Sequence, residues 1–186
     1  MTDPRDALFS ELHRTWLKPA GFRKKGRRSE RQAEDGLLVS VVLESGPSSP
    51  FGPIYFGIDL SVTHTSLPRN RRLMCIGLSS YVEGKQRWII PYGAATTDLF
   101  DRIRALFSTT GVELLRRMST LPSLTDLFAE LDSFWYYESH ARCLDWLERY
   151  AEATRVIEHA IDNAPHENFR ERALRLLAQR QARSDA

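Results

Sequence analysis

The chain is poor in cysteine: Cys75 and Cys143 are the two among 186 residues. They lie far apart, and each sits among apolar neighbours, so free, buried thiols are expected rather than a disulfide. So few thiols need histidine help to hold a metal, and the five histidines show no ligand spacing. Long apolar runs are also missing. None approaches the ~20 residues of a membrane span. The opening Met1-Thr-Asp-Pro-Arg-Asp6 carries acids with no long apolar run behind it. That predicts no signal peptide, no membrane association and a cytoplasmic location. Phosphate-binding and nucleophile motifs are absent too. Gly21 and Gly26 belong to neither a phosphate loop nor a dinucleotide fingerprint, and no Gly-x-Ser-x-Gly elbow occurs. No catalytic residue, metal ligand or cofactor is assigned. Excess charge is small: 26 basic against 24 acidic residues, net +2.

What is present is a basic cluster. Arg23, Lys24, Lys25, Arg27, Arg28 and Arg31 stand together against one acid, Glu30. Hydrophobic residues at 42% supply a core, and charged residues at 27% an ordinary soluble surface. The length suits one domain, or one with an appendage.

Residues 5–18 read as a helix. Leu8, Leu12 and Thr15 or Trp16 recur at helical spacing, with Phe9 widening the stripe. Asp3 caps its start, Pro4 suits the first turn, and Pro19 with Gly21 ends it. Strand signals fill residues 22–90. Phe22 anchors the first strand, Asp35-Gly36 reads as a hairpin turn, and 37–43 is a β-branched run. Residues 45–53 read as a loop. In 54–63, Ile54, Phe56, Ile58, Leu60 and Val62 alternate with polar or small residues, a strand with one buried face. Residues 67–70 turn the chain, 72–82 read as a further strand, and 88–90 as a short last one. Short turns favour an antiparallel sheet of about four or five strands.

From residue 97 the period is helical. Leu99, Ile103, Leu106 and Phe107 form one stripe. Thr110-Gly-Val-Glu113 resembles a capping box, Pro122 an interruption, and Ser123 a further cap. Residues 134–182 read as almost wholly helical. The expected class is α+β: an N-terminal helix, an antiparallel sheet with packed helices, and a C-terminal helical hairpin. The expected division is 1–131 and 132–186, with the two parts free to pack as one unit.

Residues 5–130 resemble DUF4304, a family of uncharacterised bacterial domains. The resemblance rests on Leu17-Lys-Pro-Ala-Gly-Phe-Arg-Lys-Lys-Gly26, Leu38-Val-Ser-Val-Val42, Phe56-Gly-Ile-Asp59, Ile76-Gly-Leu78, Trp88 and Leu121-Pro-Ser-Leu124 in that order. The Ser/Pro loop after the first hairpin departs from the usual pattern. The family implies no catalytic residues; some such families resemble immunity proteins of toxin systems. Residues 134–167 resemble one tetratricopeptide repeat. Tyr137, Ala141 and Leu144 take first-helix positions, Tyr150 the turn, Ala153, Ile157 and Ala160 the second helix, and Pro165 the exit. A single repeat has two faces to cover, which implies packing on the sheet domain or on another subunit.

Two surfaces are candidates. Arg23, Lys24, Lys25, Arg27 and Arg28 suit a solvated edge, an acidic protein partner, or phosphates of a nucleic acid. The run Phe134-Trp135-Tyr136-Tyr137 cannot turn all its rings into one core. Trp135 and Tyr136 therefore belong to an internal seam, a protein-binding surface or a small-molecule pocket. Asp59 and His64 fall on opposite strand faces, and His13, His140, His159 and His166 read as surface or boundary residues. The leading expectation is a noncatalytic protein-interaction module, with self-association through the C-terminal helices left open. Weak nucleic acid binding through 23–31 is the alternative. An enzyme would need a concave polar cluster from distant segments.

Overall fold

The computed structural model describes residues 3–46, 52–68 and 71–184. It divides into two compact units, Met1–Ser119 and Thr120–Ala186. The architecture is α+β. No helix among the described residues is long and apolar enough to cross a membrane.

The first unit opens with α1 (Pro4–Leu12), which continues through a wider π-type turn, His13–Leu17. Asp3 caps it: its carboxylate accepts from the Arg5 N–H at 2.9 Å. Six strands follow: β1 (Arg23–Lys25), β2 (Arg28–Gln32), β3 (Leu37–Ser45), β4 (Ile54–His64), β5 (Met74–Gly77) and β6 (Trp88–Ile90). All pairings are antiparallel. The order is β1-β2-β3-β4-β5, and β6 pairs with β4 beyond the end of β5. Among the described residues the sheet has six strands, one more than the upper expectation.

The long alternation of β4 behaves as its pattern requires. Phe56, Ile58, Leu60 and Val62 are buried on one face. Opposite them across β3 stand Ser45, Leu43, Val41 and Val39. Rings from the helical segment 97–106 and from β6 reach this face. Phe100 meets the Phe56 ring edge-on at 6.3 Å, Trp88 lies 5.8 Å from Phe56, and Trp16 lies 6.1 Å from Phe107. Burying a side chain of this size stabilises the fold by about 1.5–3 kcal/mol. Asp35 and Gly36 make the expected β2–β3 turn, both with positive φ (54° and 73°). A Cβ at Gly36 would lie 2.9 Å from His64 Nε2, so the position excludes a side chain on space as well as on φ.

Three local expectations are corrected. Residues 72–82 are not one strand: β5 stops at Gly77, and Leu78–Glu83 form a helix, α2, closed by Gly84 in the left-handed region. Gly77 offers little strand propensity, and Leu78 and Ser79 bury as the first helical turn. Thr110 caps nothing. α3 (Thr97–Leu106) runs through a π-type turn, Phe107–Gly111, into α4 (Val112–Arg117) without a break. Gly111 sustains it because a Cβ there would lie 3.0 Å from the Phe107 ring. Pro122 does not interrupt a helix; it sits in the first turn of α5 (Leu121–Leu131). The cap is Thr120, whose hydroxyl accepts from the Ser123 N–H at 3.3 Å. The loop expected over 45–53 and the turn over 67–70 fall partly outside the described residues.

The second unit holds α5, one 3-10 turn (Phe134–Tyr136), α6 (Tyr137–Trp146), α7 (Tyr150–Asp162) and α8 (Glu167–Ser184). Its core is Tyr137, Ala141, Leu144, Ala153, Ile157, Ala160 and Ala173. The small alanines let α6 and α7 pack closely as an antiparallel pair. α5 packs on α6 and α8 on α7, so the pair has neighbours within its own chain. By its packing α5 belongs to this unit, which begins at Thr120.

Asp3 generates a testable electrostatic prediction. Its carboxylate receives Arg5 and the Arg27 guanidinium at 2.9 Å. The Arg5 hydrogen bond, working against burial, holds its carboxyl at about 2 instead of 3.8. A depressed carboxyl contributes stability that is complete above pH 3.8 and lost as pH falls toward about 2. Asn at a cap keeps the acceptor but not the charge. We expect Asp3→Asn to cost about 1 kcal/mol at pH 7, after screening of the partly exposed Arg27. It should also flatten the acid limb of the stability curve below pH 3.8. Equilibrium unfolding in urea from pH 2 to 7 checks both.

Candidate binding cleft

The basic cluster folds onto its own unit. Lys24 Nζ donates to Ser10 Oγ at 2.6 Å and lies 5.6 Å from the Phe9 ring centre. Arg27 pairs with Asp6 at 2.6 Å and with Asp3, its guanidinium held charged first by the Asp6 hydrogen bond. Arg28 pairs with Glu30 at 2.9 Å and donates to Ser40 Oγ. Arg31 donates to the Ala20 carbonyl and sits over Phe22 at 5.1 Å. Arg23 and Lys25 are the two exposed cations of this hairpin that make no such contact among the described residues. Lys24 and Arg27 clasp α1 and its cap, while Arg28 and Arg31 bond to other parts of the same unit.

The polar face of the sheet carries Asp59, half-buried, with Cys75 Sγ 4.0 Å from its Oδ2. Burial first, then the Glu44 charge, raises the Asp59 carboxyl. His64 accepts or donates at Ser66 Oγ, 2.7 Å away, and does not meet Asp59. Neither cysteine forms a disulfide. Cys143 is fully buried, which pushes its thiol up to about 12; Cys75 is half-buried. Among the described residues no group of three His, Cys, Asp or Glu side chains is placed to hold a metal ion.

The second unit contains a concave site. A cleft of about 550 Å³ opens between the end of α5, the aromatic turn, α6 and α7. That size suits a small ligand or a short stretch of chain. Phe128, Phe134, Tyr136 and Tyr137 give it an aromatic wall. Asp132, His140, Arg155, His159 and Asn163 give it polar groups. A second cleft of about 230 Å³ adjoins it and shares Ala129, His140, Arg155 and Val156.

Local sequence explains the placement. α5 ends at Asp132 in the left-handed conformation (φ 40°), which presents its carboxylate to His159 Nε2 at 3.3 Å. The next residues close a single 3-10 turn, so consecutive rings leave in different directions. Phe134 lies 5.2 Å from Tyr137, Tyr136 lies 5.7 Å from Phe128, and Trp135 packs edge-on to Phe169 at 5.3 Å. Trp135 remains 71% exposed. Of the two aromatic candidates, Tyr136 lines the cleft and Trp135 stands on the surface beside Phe134. These two belong to the helical unit, and Arg23, Lys24, Lys25, Arg27 and Arg28 to the sheet unit.

Arg155, His159 and Asn163 were not among the candidates. Their four-residue spacing along α7 and its C-terminal cap puts them on one face, and that was the readable signal. His140 stacks on Phe128 at 5.5 Å. Burial, then the Arg149 charge, pulls its ring below the ordinary 6.5, so it is neutral at pH 7. His159 uses Nε2 on Asp132 and turns Nδ1 to Asn163 at 3.3 Å. No hydroxyl or thiol hydrogen-bonds either histidine of the cleft among the described residues, so the arrangement offers donors and stacking surfaces and no activated nucleophile.

The position of His140 sets a pH dependence. A base held below its unfolded value binds its proton more readily in the unfolded chain. Stability is therefore complete above pH 6.5 and falls as pH drops below it. We expect the His140 Cε1 proton to titrate with a midpoint below 6.5 by NMR. His140→Phe keeps the stack and should reduce the loss of melting temperature between pH 6.5 and 5.5, leaving the part due to His13, which burial and the Lys24 charge also hold below 6.5.

Comparison with protein families, curated proteins and solved structures finds no significant match for this chain. The site must be read from its own geometry.

Proposed function

We propose that this protein is a noncatalytic protein-interaction module that holds its partner at the aromatic turn and cleft of its helical unit. The observation that carries this is Trp135, a large ring left 71% exposed beside an open, aromatic-walled cleft. An exposed tryptophan is a costly surface residue in a monomer and a typical anchor of an interface. The rings around it are braced from behind: Phe134 meets Phe169 at 5.4 Å, and Phe169 stacks with His166. A braced ring loses little freedom when a partner covers it. The basic hairpin supports this reading by default, because Arg27, Arg28 and Arg31 already have acceptors within their own unit. The DUF4304 resemblance gives the module a biological form, steric masking of a toxin.

The test is a complex rebuilt from purified components. A tagged full-length chain should retain one near-stoichiometric protein after nuclease treatment. The purified pair should bind directly, and Trp135→Ala should weaken it at least about tenfold, the loss of a central anchor. Binding lost with nuclease, or unchanged in Trp135→Ala, overturns the proposal.

A further inference from the structure

The far side of β6 is an open strand edge with a groove along it. β6 pairs with β4 alone among the described residues. The Gly46 N–H donates to the Tyr55 carbonyl at 2.8 Å, so Tyr55 turns its backbone polar groups toward β3. Ile54 and Phe56 then turn theirs toward β6, where Ile90 and Trp88 stand opposite them. Ile89, between those two, points its N–H and C=O away from β4. No backbone group outside the sheet takes up either one among the described residues. The Ile89 side chain is 50% exposed and lies beside Tyr55, 37% exposed, on the sheet face opposite to Trp88 and Ile90. A groove of about 210 Å³ runs between β6 and α3, lined from α3 by Asp98, Leu99 and Arg102. Asp98 and Arg102 are exposed and one turn apart on that helix. Arg102 Nε lies 3.2 Å from Glu83 Oε1, and the guanidinium has further donors to offer.

We infer that the β6 edge is a self-pairing surface: two copies of this chain join there, antiparallel, about a two-fold axis through Ile89. This surface lies in the sheet unit and is independent of the interaction reading above. An antiparallel hydrogen-bonded pair exchanges the N–H and C=O of one residue with those of the residue opposite. One outward-facing residue is therefore matched by itself in a second copy. The same axis brings Tyr55 and Ile89 of both copies into one apolar row across the junction. It also sets α3 of one copy antiparallel to α3 of the other, over the groove. An acid and a base one turn apart on a helix face are then complementary to themselves: Asp98 meets the second copy's Arg102, and the reverse. The groove carries one charge of each sign, so the complementarity comes from arrangement and not from excess. Arg87 can donate its N–H to the second copy's Pro91 carbonyl, but Pro91 has no N–H to return, which keeps the ladder short. The dimer is accordingly weak, with a dissociation constant of about micromolar order. The opposite sheet edge, β1, is three residues long and carries Arg23, Lys24 and Lys25, so the sheet does not propagate and the assembly closes at two copies.

The experiment uses the purified full chain in sedimentation velocity from about 1 to about 500 µM, with amide hydrogen exchange at both ends of the series. The chain should pass from one copy to two. The Ile89 amide should exchange fast when dilute and slowly when concentrated, while Trp88 and Ile90, paired with β4, stay protected throughout. Ile89→Lys places a charge on the edge, and Asp98→Arg sets like charges against each other. Each should weaken the dimer at least about tenfold. Both residues are exposed, so the melting temperature should hold in each variant. Asp98→Arg combined with Arg102→Asp exchanges the two signs and should restore the dimer. A chain that stays single at every concentration overturns the inference. So does a dimer that forms equally well in Ile89→Lys, or one that Trp135→Ala abolishes while Ile89→Lys does not, which would place self-association on the helical unit. A single copy whose Ile89 amide is protected at every dilution overturns it too, since a segment of the same chain then covers the edge.

Discussion

The antiparallel pairing of β3 with β4 is the constraint on which the first unit depends. It joins nine consecutive positions, from Leu37 opposite His64 to Ser45 opposite Phe56. A slip of one residue would move Leu37, Val39, Val41 and Leu43 to the polar face and leave the helices without a floor. At one end the Gly36 carbonyl accepts from the Thr65 N–H at 2.9 Å, and along its length the buried rows hold the register. The remaining strands attach to this pair. β2 extends it on the β3 side, while β5 and β6 divide the other side of β4 between them. α2 exists because the chain must leave one half of that side and return to the other.

Charge composition and charge function part company in the hairpin of β1 and β2. Six cations within nine residues look like a surface for phosphates or acids. In the fold, Asp3, Asp6, Glu30, Ser10 and the Ala20 carbonyl absorb Arg27, Arg28, Lys24 and Arg31. The acids that do so are Asp3, the cap of α1, and Asp6 in its first turn, over twenty residues upstream, and Glu30, two residues along β2 from Arg28. A cation cluster read without its tertiary neighbours overstates the free charge, because exposed pairs contribute little to stability and much to local neutrality.

Much of the sheet was legible because alternation is a one-dimensional signal. Ile54 to Val62 names its own buried face, and Asp35-Gly36 names its own turn. The segment 78–83 was misread for a definite reason. Leu78 and Val82 are compatible with either period, and only the short return from β5 to β6 decides for a helix. The capping box at Thr110 failed because Phe107 and Ile103 keep the helix continuous through their burial, which outweighs a local cap. The aromatic turn was legible as a group of rings that could not share one core. Which ring stays outside depends on the 3-10 turn and on Phe169, more than thirty residues downstream. The cleft was legible only in fragments, the aromatic run and the spacing of Arg155, His159 and Asn163, because its walls come from separate helices and meet only by packing.

The helical unit shows how a single hairpin of two helices is completed and still keeps an opening. Two antiparallel helices leave two faces uncovered, and a lone pair is unstable for that reason. Here α5 covers one face and α8 the other, through Ala173 and its partly buried neighbours Leu176 and Leu177. α8 turns Arg170, Glu171 and Arg175 outward, so the stack ends in a solvated surface instead of a further sticky face. α5 does not close its side fully. It stops at Asp132, where the left-handed residue swings the chain into the 3-10 turn before α6 begins. The gap left by that early stop is the cleft, and the residues that make the stop also furnish its rim. The helix that completes the core therefore creates the site by ending where it does: stability and recognition here have the same geometric origin.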